Sequence, residues 1–409
     1  MGLLHEVATV DEMQNTEFEI DEDLSHSHPL RICVVTETYP PDVNGVALTL
    51  SRMVEGLRSN GHQVALVRPR LAQSHEMAGR EDEQYWVRGL PLPMYKHVRL
   101  GFPATQMLKR LWTRQRPDVV HIATEGPLGW SALKQALKMK IPVTSDFRTN
   151  FHTYSEHYRL GWLKGPIFRY LKKFHNRCAY TMVPTALLKT ELQNLGFERL
   201  CHVPRGVDTD VFNPKHRSQV LREHWRVEDD TLVLVCVARL AVEKNIEWVI
   251  QAWKSLRNKG LKSQLVLVGD GPLRDCLQAA HPEVVYAGFQ RGADLSAHYA
   301  SADWFVFASR SETFGNVTLE AMASGLAVLA FDDAAAGELI TSGLEGVVVQ
   351  GGEAEFISAA HVMSKDREAL RRMGQMGRQR AMACSWAAVI DQAEAVFRRA
   401  MNPAASRCA

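Results

Sequence analysis

No apolar run in the 409-residue sequence approaches the ~20 residues that a membrane-spanning helix needs. Charge of one sign is missing too. The 48 Lys and Arg stand against 46 Asp and Glu, leaving a net charge of +2. That average gives no reason to expect a nucleic-acid partner, and any basic surface must be local. The 7 cysteines, at Cys33, Cys178, Cys201, Cys236, Cys276, Cys384 and Cys408, include no close pair with metal-ligand or redox-motif spacing. They read as the reduced thiols of a cytoplasmic protein, Cys33 and Cys236 inside apolar strand-like runs. Residues 1–29 are polar and acidic. They lack the basic start and apolar centre of a secretory signal and are expected to form a disordered, mobile extension. The rest is ordinary for a globular chain, with 46% hydrophobic and 23% charged residues. The length suffices for two domains with full cores.

The informative stretch is Ser309 to Gly325. An apolar run, Trp304 to Ala308, precedes it, and a second, Leu326 to Phe331, follows; both read as buried strands. Between them the sequence predicts a turn and a short helix that starts near Gly315 and stops at Gly325. The start of such a helix offers free backbone N–H groups and the positive end of the helix dipole, a ready site for phosphate. Glycine at 315 lets a ligand approach the backbone closely. Glu312 and Glu320 frame the turn. Carboxylates repel phosphate, so these two are suited to hydroxyls, and phosphate flanked by hydroxyls is what a nucleotide sugar offers.

The same logic appears twice more. Arg31–Thr36 reads as a strand, followed by the turn-rich Glu37–Gly45, a helix from Val46 to Arg58 and a strand from Gln63 to Val67. This is the opening of a doubly wound parallel sheet, in which ligands bind at the carboxyl ends of the strands. The loop at Asn44 and Gly45 is therefore a candidate site. Later, Thr231–Val237 reads as a strand that gives way to a helix carrying Ile246, Val249, Ile250, Trp253 and Leu256. Arg239 and Lys244 sit between the two, where paired cations would neutralise a diphosphate and stabilise it as it leaves.

Glu312 and Glu320, eight apart around Phe314-Gly315, resemble the E-x7-E motif of the retaining glycosyltransferases of family four with the GT-B fold. Tyr39-Pro40-Pro41 with Gly45-Val46, Arg239-Leu240 with Glu243-Lys244-Asn245, and Gly206-Val207-Asp208 with Phe212 resemble the same family. The resemblance implies two Rossmann-like domains facing across a cleft. Residues 30–205 would be the acceptor-side domain and 206–385 the nucleotide-sugar domain. The segment 386–409 would be a helix crossing back to the first domain, plus a tail. It implies Glu312, His121, Arg239 and Lys244 as the catalytic group. The donor would meet Gly45, Arg239, Lys244, Phe314, Gly315, Asn316, Val317 and Glu320. Glu312 would hold the sugar, Glu320 the ribose, and the base would lie near Gly269 and Gly271. The acceptor side would be formed by Asn44, Arg148, Asn150, His152 and Tyr154; relatives commonly carry His where this chain has Arg148. Asp208-Thr209-Asp210 matches a metal-binding pattern of a different fold, but its context is the interdomain turn of this family. No metal and no cofactor are expected.

Two stretches are basic and free of acid, 98–117 and 158–177, with apolar residues interleaved. As basic amphipathic helices they would rest on an anionic, inner-face membrane surface; as ordinary surface helices their apolar faces would enter the core. Three readings stay open. The first is a metal-independent hexosyltransferase moving a sugar from a UDP-hexose or GDP-mannose to a lipid or lipid-linked acceptor at the membrane. The second is a soluble transferase for a sugar or small metabolite. The third is a non-catalytic nucleotide-sugar binding protein. Sugar, base and acceptor are not legible.

Overall fold

The computed structural model describes residues 28–42, 44–70, 83–92, 95–148 and 164–402. The expectations for most of the N-terminal extension, for Asn150, His152 and Tyr154, and for the last seven residues fall outside those described.

In chain order the strands are β1 (Arg31–Val35), β2 (Gln63–Pro69), β3 (Gln84–Val87), β4 (Gly89–Leu92), β5 (Tyr95–Gly101), β6 (Val119–Ile122), β7 (Val143–Asp146), β8 (Tyr180–Val183) and β9 (Leu200–His202). The second half adds β10 (Leu232–Val237), β11 (Ser263–Val268), β12 (Val285–Gly288), β13 (Trp304–Phe307), β14 (Ala327–Phe331) and β15 (Gly346–Val349). Two parallel sheets result, in the orders β3-β2-β1-β6-β7-β8-β9 and β12-β11-β10-β13-β14-β15. β4 and β5 form an antiparallel hairpin. The central strands of the second sheet, β10 and β13, are apolar along their whole length, as expected where helices cover both faces. β10, with all six residues buried, is the extreme case.

Strand order reverses between β1 and β6 in the first sheet and between β10 and β13 in the second. At such a reversal the loops leaving the two strands part to opposite faces and open a crevice. Both crevices hold residues singled out in the sequence.

The last helix, Trp386–Met401, follows the second sheet in sequence but packs on the first. Val389, Ile390, Ala393, Val396 and Phe397 share a buried cluster with Ile32, Val34, Leu50, Val54 and Val119. β9 pairs in parallel beyond β8; its three residues are too few to show a period in the sequence. One expectation needs correction. The stretch 98–117 is not one helix. Its start belongs to β5, Pro103 lies between, and the helix runs over Thr105–Arg114.

Candidate active site

β10 ends at Val237, and its loop passes through a 3-10 turn, Val242–Lys244, into the helix Ile246–Asn258. Asn245 joins the two in the left-handed region at φ 49° and donates from Nδ2 to the Ala308 carbonyl at 3.0 Å. Asparagine tolerates that conformation better than most residues. Ser311 Oγ donates to the Glu243 carbonyl at 3.1 Å. The loops leaving β10 and β13 are thus fastened together across the crevice.

Lys244 and Glu312 form an ion pair there, and Ser309 Oγ donates to the same Glu312 oxygen at 3.0 Å. Both charged side chains keep some exposure, 16% for Lys244 and 22% for Glu312. Arg239 stands at the mouth, about half exposed, 4.0 Å from Glu243. Gly315 caps the helix Asn316–Ala323 at φ 87°, a value that suits glycine. The N–H groups of the first turn have no carbonyl within the helix to accept them. The Lys244–Glu312 pair lies beside the helix start, where a Cβ on Gly315 would come 3.3 Å from Glu312 Cγ.

Glu320 projects from that helix, and its Oε2 accepts from Tyr299 Oη at 3.0 Å. Burial pushes the Glu320 carboxyl up to about 7. Burial, together with the neighbouring Glu320 charge, also holds the Tyr299 phenol well above its ordinary value. Sequence reasoning missed Tyr299, which lies on another helix and carries no motif.

Gly269 and Gly271 follow β11 and press on the loop that carries Arg239. A Cβ at Gly269, whose φ is 140°, would lie 1.9 Å from the Ala238 carbonyl oxygen, and one at Gly271 would lie 2.4 Å from that of Leu240. Both are needed for close backbone approach, whatever else they touch. Phe314 is buried in the core of the second sheet, with Val317 packed against it.

The first sheet meets this site at two points. A Cβ on Gly45 would lie 3.9 Å from Asn316 Nδ2, and Thr313 Oγ1 donates to the Arg148 carbonyl at 3.3 Å. Three first-sheet residues expected at the site are held by neighbours within the fold. His121 is 0% exposed within β6. Its Nδ1 bonds Thr144 Oγ1 at 3.0 Å, its Nε2 lies 3.4 Å from Asp146, and its ring meets the edge of Phe397 at 5.3 Å. The ring is enclosed by these neighbours and faces Asp146. Arg148 is likewise not a free acceptor-side group, because its guanidinium is held on Asp146 and only 5% exposed. Asn44 is the N-cap of the helix Gly45–Ser59. Its Oδ1 accepts from Ala47 N, and its Nδ2 donates to Thr38 Oγ1, both at 2.8 Å.

Across the β1–β6 crevice, Glu37 accepts the N–H of Gly101 at 3.2 Å and of Leu128 at 3.4 Å. Burial raises its carboxyl to about 7, and nearby Glu125 adds to the shift. Its place just after the first strand was the available signal. Asp208 Oδ1 accepts the N–H groups of Asp210 and Val211, and its Oδ2 faces Arg52 at 3.3 Å, a turn-forming role. The buried thiols of Cys33, Cys178 and Cys236 are pushed up to about 12 by burial, which removes thiolate chemistry from all three.

Residues 43–211 match the family Glycosyltransferase Family 4, and residues 231–366 match Glycosyl transferases group 1. A GDP-mannose-dependent alpha-mannosyltransferase of Mycobacterium tuberculosis is 31% identical over 373 residues, 89% of this chain and 95% of that protein. An alpha-monoglucosyldiacylglycerol synthase of Streptococcus pneumoniae is 26% identical over 79% of this chain and 76% of its own length. Among solved structures, a sucrose-phosphate synthase from Thermosynechococcus elongatus matches with a TM-score of 0.73 at 16% identity, covering 90% of this chain and 98% of that one. The paired parallel sheets, the cleft between them and these likenesses agree: the chain belongs to the glycosyltransferases of family 4 and group 1 and has the GT-B fold.

Proposed function

We propose that this chain moves a hexosyl group from a nucleoside diphosphate sugar to a hydroxyl of a lipid or lipid-linked acceptor, with retention at the anomeric carbon and without a metal. The observation that carries the reading is the fastening of the Arg239–Lys244 loop to the Glu312–Glu320 segment at the strand reversal of the second sheet. In this reading Arg239 and Lys244 take up the charge that grows on the leaving diphosphate, helped by the N–H groups beside Gly315. Lys244 exchanges its bond to Glu312 for the phosphate, which frees Glu312 for the sugar hydroxyls. Glu320 accepts from the ribose. Attack comes from the face the diphosphate leaves, and the two domains exclude water that would hydrolyse the donor.

The names of the mannosyl and glucosyldiacylglycerol relatives support a hexose donor and a lipid acceptor. For contact with a membrane there is an exposed flank at the β3 edge. Leu90 is 58% and Phe102 43% exposed, beside the exposed Lys109, Arg110 and Arg114 of the helix Thr105–Arg114. A groove of about 330 Å³ lined by Trp86, Val87, Phe102 and Met107 opens on the same flank. The soluble-acceptor reading has one observation in its favour. The apolar face of this helix, Leu108 and Trp112, and that of Lys164–His175, Leu171 and Phe174, are buried in the protein itself.

Calorimetric titration with UDP-glucose, UDP-galactose, UDP-glucuronate, UDP-N-acetylglucosamine and GDP-mannose tests the donor side. One sugar nucleotide binds, and Lys244→Ala lowers kcat/KM with it by 10²–10³-fold, about 3–4 kcal/mol. Binding without turnover in any acceptor screen would favour a non-catalytic protein. Co-sedimentation with anionic vesicles, absent with neutral ones, separates the membrane reading from the soluble one.

A further inference from the structure

Arg205 lies three residues beyond β9, at the carboxyl edge of the first sheet, and is 9% exposed. Among the described residues it makes no hydrogen bond and no ion pair. Its electrostatic neighbours are Arg148 and Asp146. The single carboxylate there is already engaged, holding the Arg148 guanidinium and facing His121 Nε2. Among the described residues, two arginines therefore share one aspartate in a buried place. Burial, then the nearby Arg148, push the Arg205 guanidinium down to about 9, while Asp146 pulls it back up.

The backbone around Arg205 is pinned. A Cβ on Gly206 would lie 2.8 Å from the Trp386 backbone, and Val207 N donates to the Cys384 carbonyl at 3.0 Å. A surface loop could turn such a side chain out to water; this one is clamped between the last helix and the first sheet. A deeply set cation that shares its counter-charge with a second arginine is costly, and an anion brought to it would relieve that cost. The diphosphate has its own cations on the β10 and β13 side. Arg205 belongs to the opposite wall, joined to the donor segment through the bond from Thr313 to the Arg148 carbonyl.

We propose that Arg205, with Arg148 beside it, forms an anion subsite on the first-sheet wall of the cleft that receives a phosphate or carboxylate carried by the acceptor. The proposal rests on the transferase reading above and deepens it: the acceptor is an acidic molecule, and its charge fixes which hydroxyl faces the sugar. The site supplies a fixed, partly desolvated guanidinium, the side chain best suited to bidentate recognition of such groups.

The test uses the full chain, saturated with whichever of GDP or UDP binds, and titrated with dioctanoyl phosphatidate and with dioctanoylglycerol. Wild type is expected to bind the phosphatidate at least tenfold more tightly, with inorganic sulfate competing. Arg205→Gln should erase that preference, Arg205→Lys should keep part of it, and neither should change the nucleotide affinity by more than about twofold. Three results would overturn the proposal. One is equal binding of the two probes by wild type. Another is loss of nucleotide affinity in Arg205→Gln with the preference intact, which would hand Arg205 to the diphosphate. The third is weakening of UDP-glucuronate but not UDP-glucose, which would hand it to an acid on the donor sugar. Should Arg205→Gln fail to fold, the lysine variant and the sulfate competition still decide. Failure to bind any nucleotide overturns the donor reading instead, and phosphatidate binding to the free protein then reads the subsite alone.

Discussion

Glu320 is the side chain whose chemistry is most open to measurement. Its carboxyl is raised to about 7 by burial, with only the Tyr299 hydroxyl opposing the shift. In the proposed role a ribose hydroxyl donates to Glu320, best to the ionised form, so nucleotide affinity is expected to rise with pH between about 6 and 8. Glu320→Gln should flatten that dependence, which calorimetry at three pH values would show. Stability has the opposite sign. A carboxyl raised in the folded state stabilises fully below its unfolded value near 4.5, and that contribution is lost as pH rises through about 7. The size is roughly 3 kcal/mol at most. Glu320→Gln should narrow the difference in urea stability between pH 5 and pH 8; an unchanged difference would mean the carboxyl titrates normally. The sequence showed Glu320 as a candidate through its spacing from Glu312. It did not show Tyr299, because a partner one helix away leaves no local pattern. The same limit hides the neighbours of His121, since a histidine at the end of a strand does not show in sequence that it packs on Asp146 and Phe397.

Strand-loop-helix units are the part of this protein most visible in its sequence, since each announces itself by an apolar run, a turn and a 3.6-residue period. The helix Gly45–Ser59 begins and ends within one residue of its expected span. β9 and the hairpin β4–β5 escape notice because short strands show too few repeats. Within the second sheet the loop carrying Arg239 depends on a neighbour. Gly269 lies so near it that a methyl group would meet the Ala238 carbonyl oxygen at 1.9 Å, at a φ of 140° that other residues rarely adopt. Gly269→Ala must displace the Arg239 loop or unfold it. A loss of about 2 kcal/mol or more in chemical denaturation, with weaker nucleotide binding, is expected. A variant as stable and as tight as wild type would show that the loop yields freely.

As a whole, the molecule is two sheets held together by a shared helix and a few polar bridges. Glu338 of the second half accepts the Ala186 N–H at 2.7 Å and faces His202 Nε2 at 3.1 Å. Arg52 meets Asp208 at 3.3 Å. The helix Trp386–Met401 contributes the apolar part, with Phe397 0% exposed among first-sheet residues. Truncation of a buried Phe to Ala costs about 3–5 kcal/mol. Phe397→Ala should therefore destabilise the first sheet, read as a lowered and split thermal transition, although it lies far along the chain from the strands it covers. A small, single shift would mean the helix merely leans on the sheet.

Transfer of a hexosyl group with retention is proposed for the cleft of Arg239, Lys244 and Glu312. The most direct measurement is NMR of the product formed from an α-linked sugar nucleotide that binds, with an acidic lipid acceptor in vesicles. Retention gives the larger one-bond carbon–proton coupling of an α-linked anomeric carbon, and the product is lost with Lys244→Ala. A β-linked product, or full activity in the Lys244 variant, would contradict it.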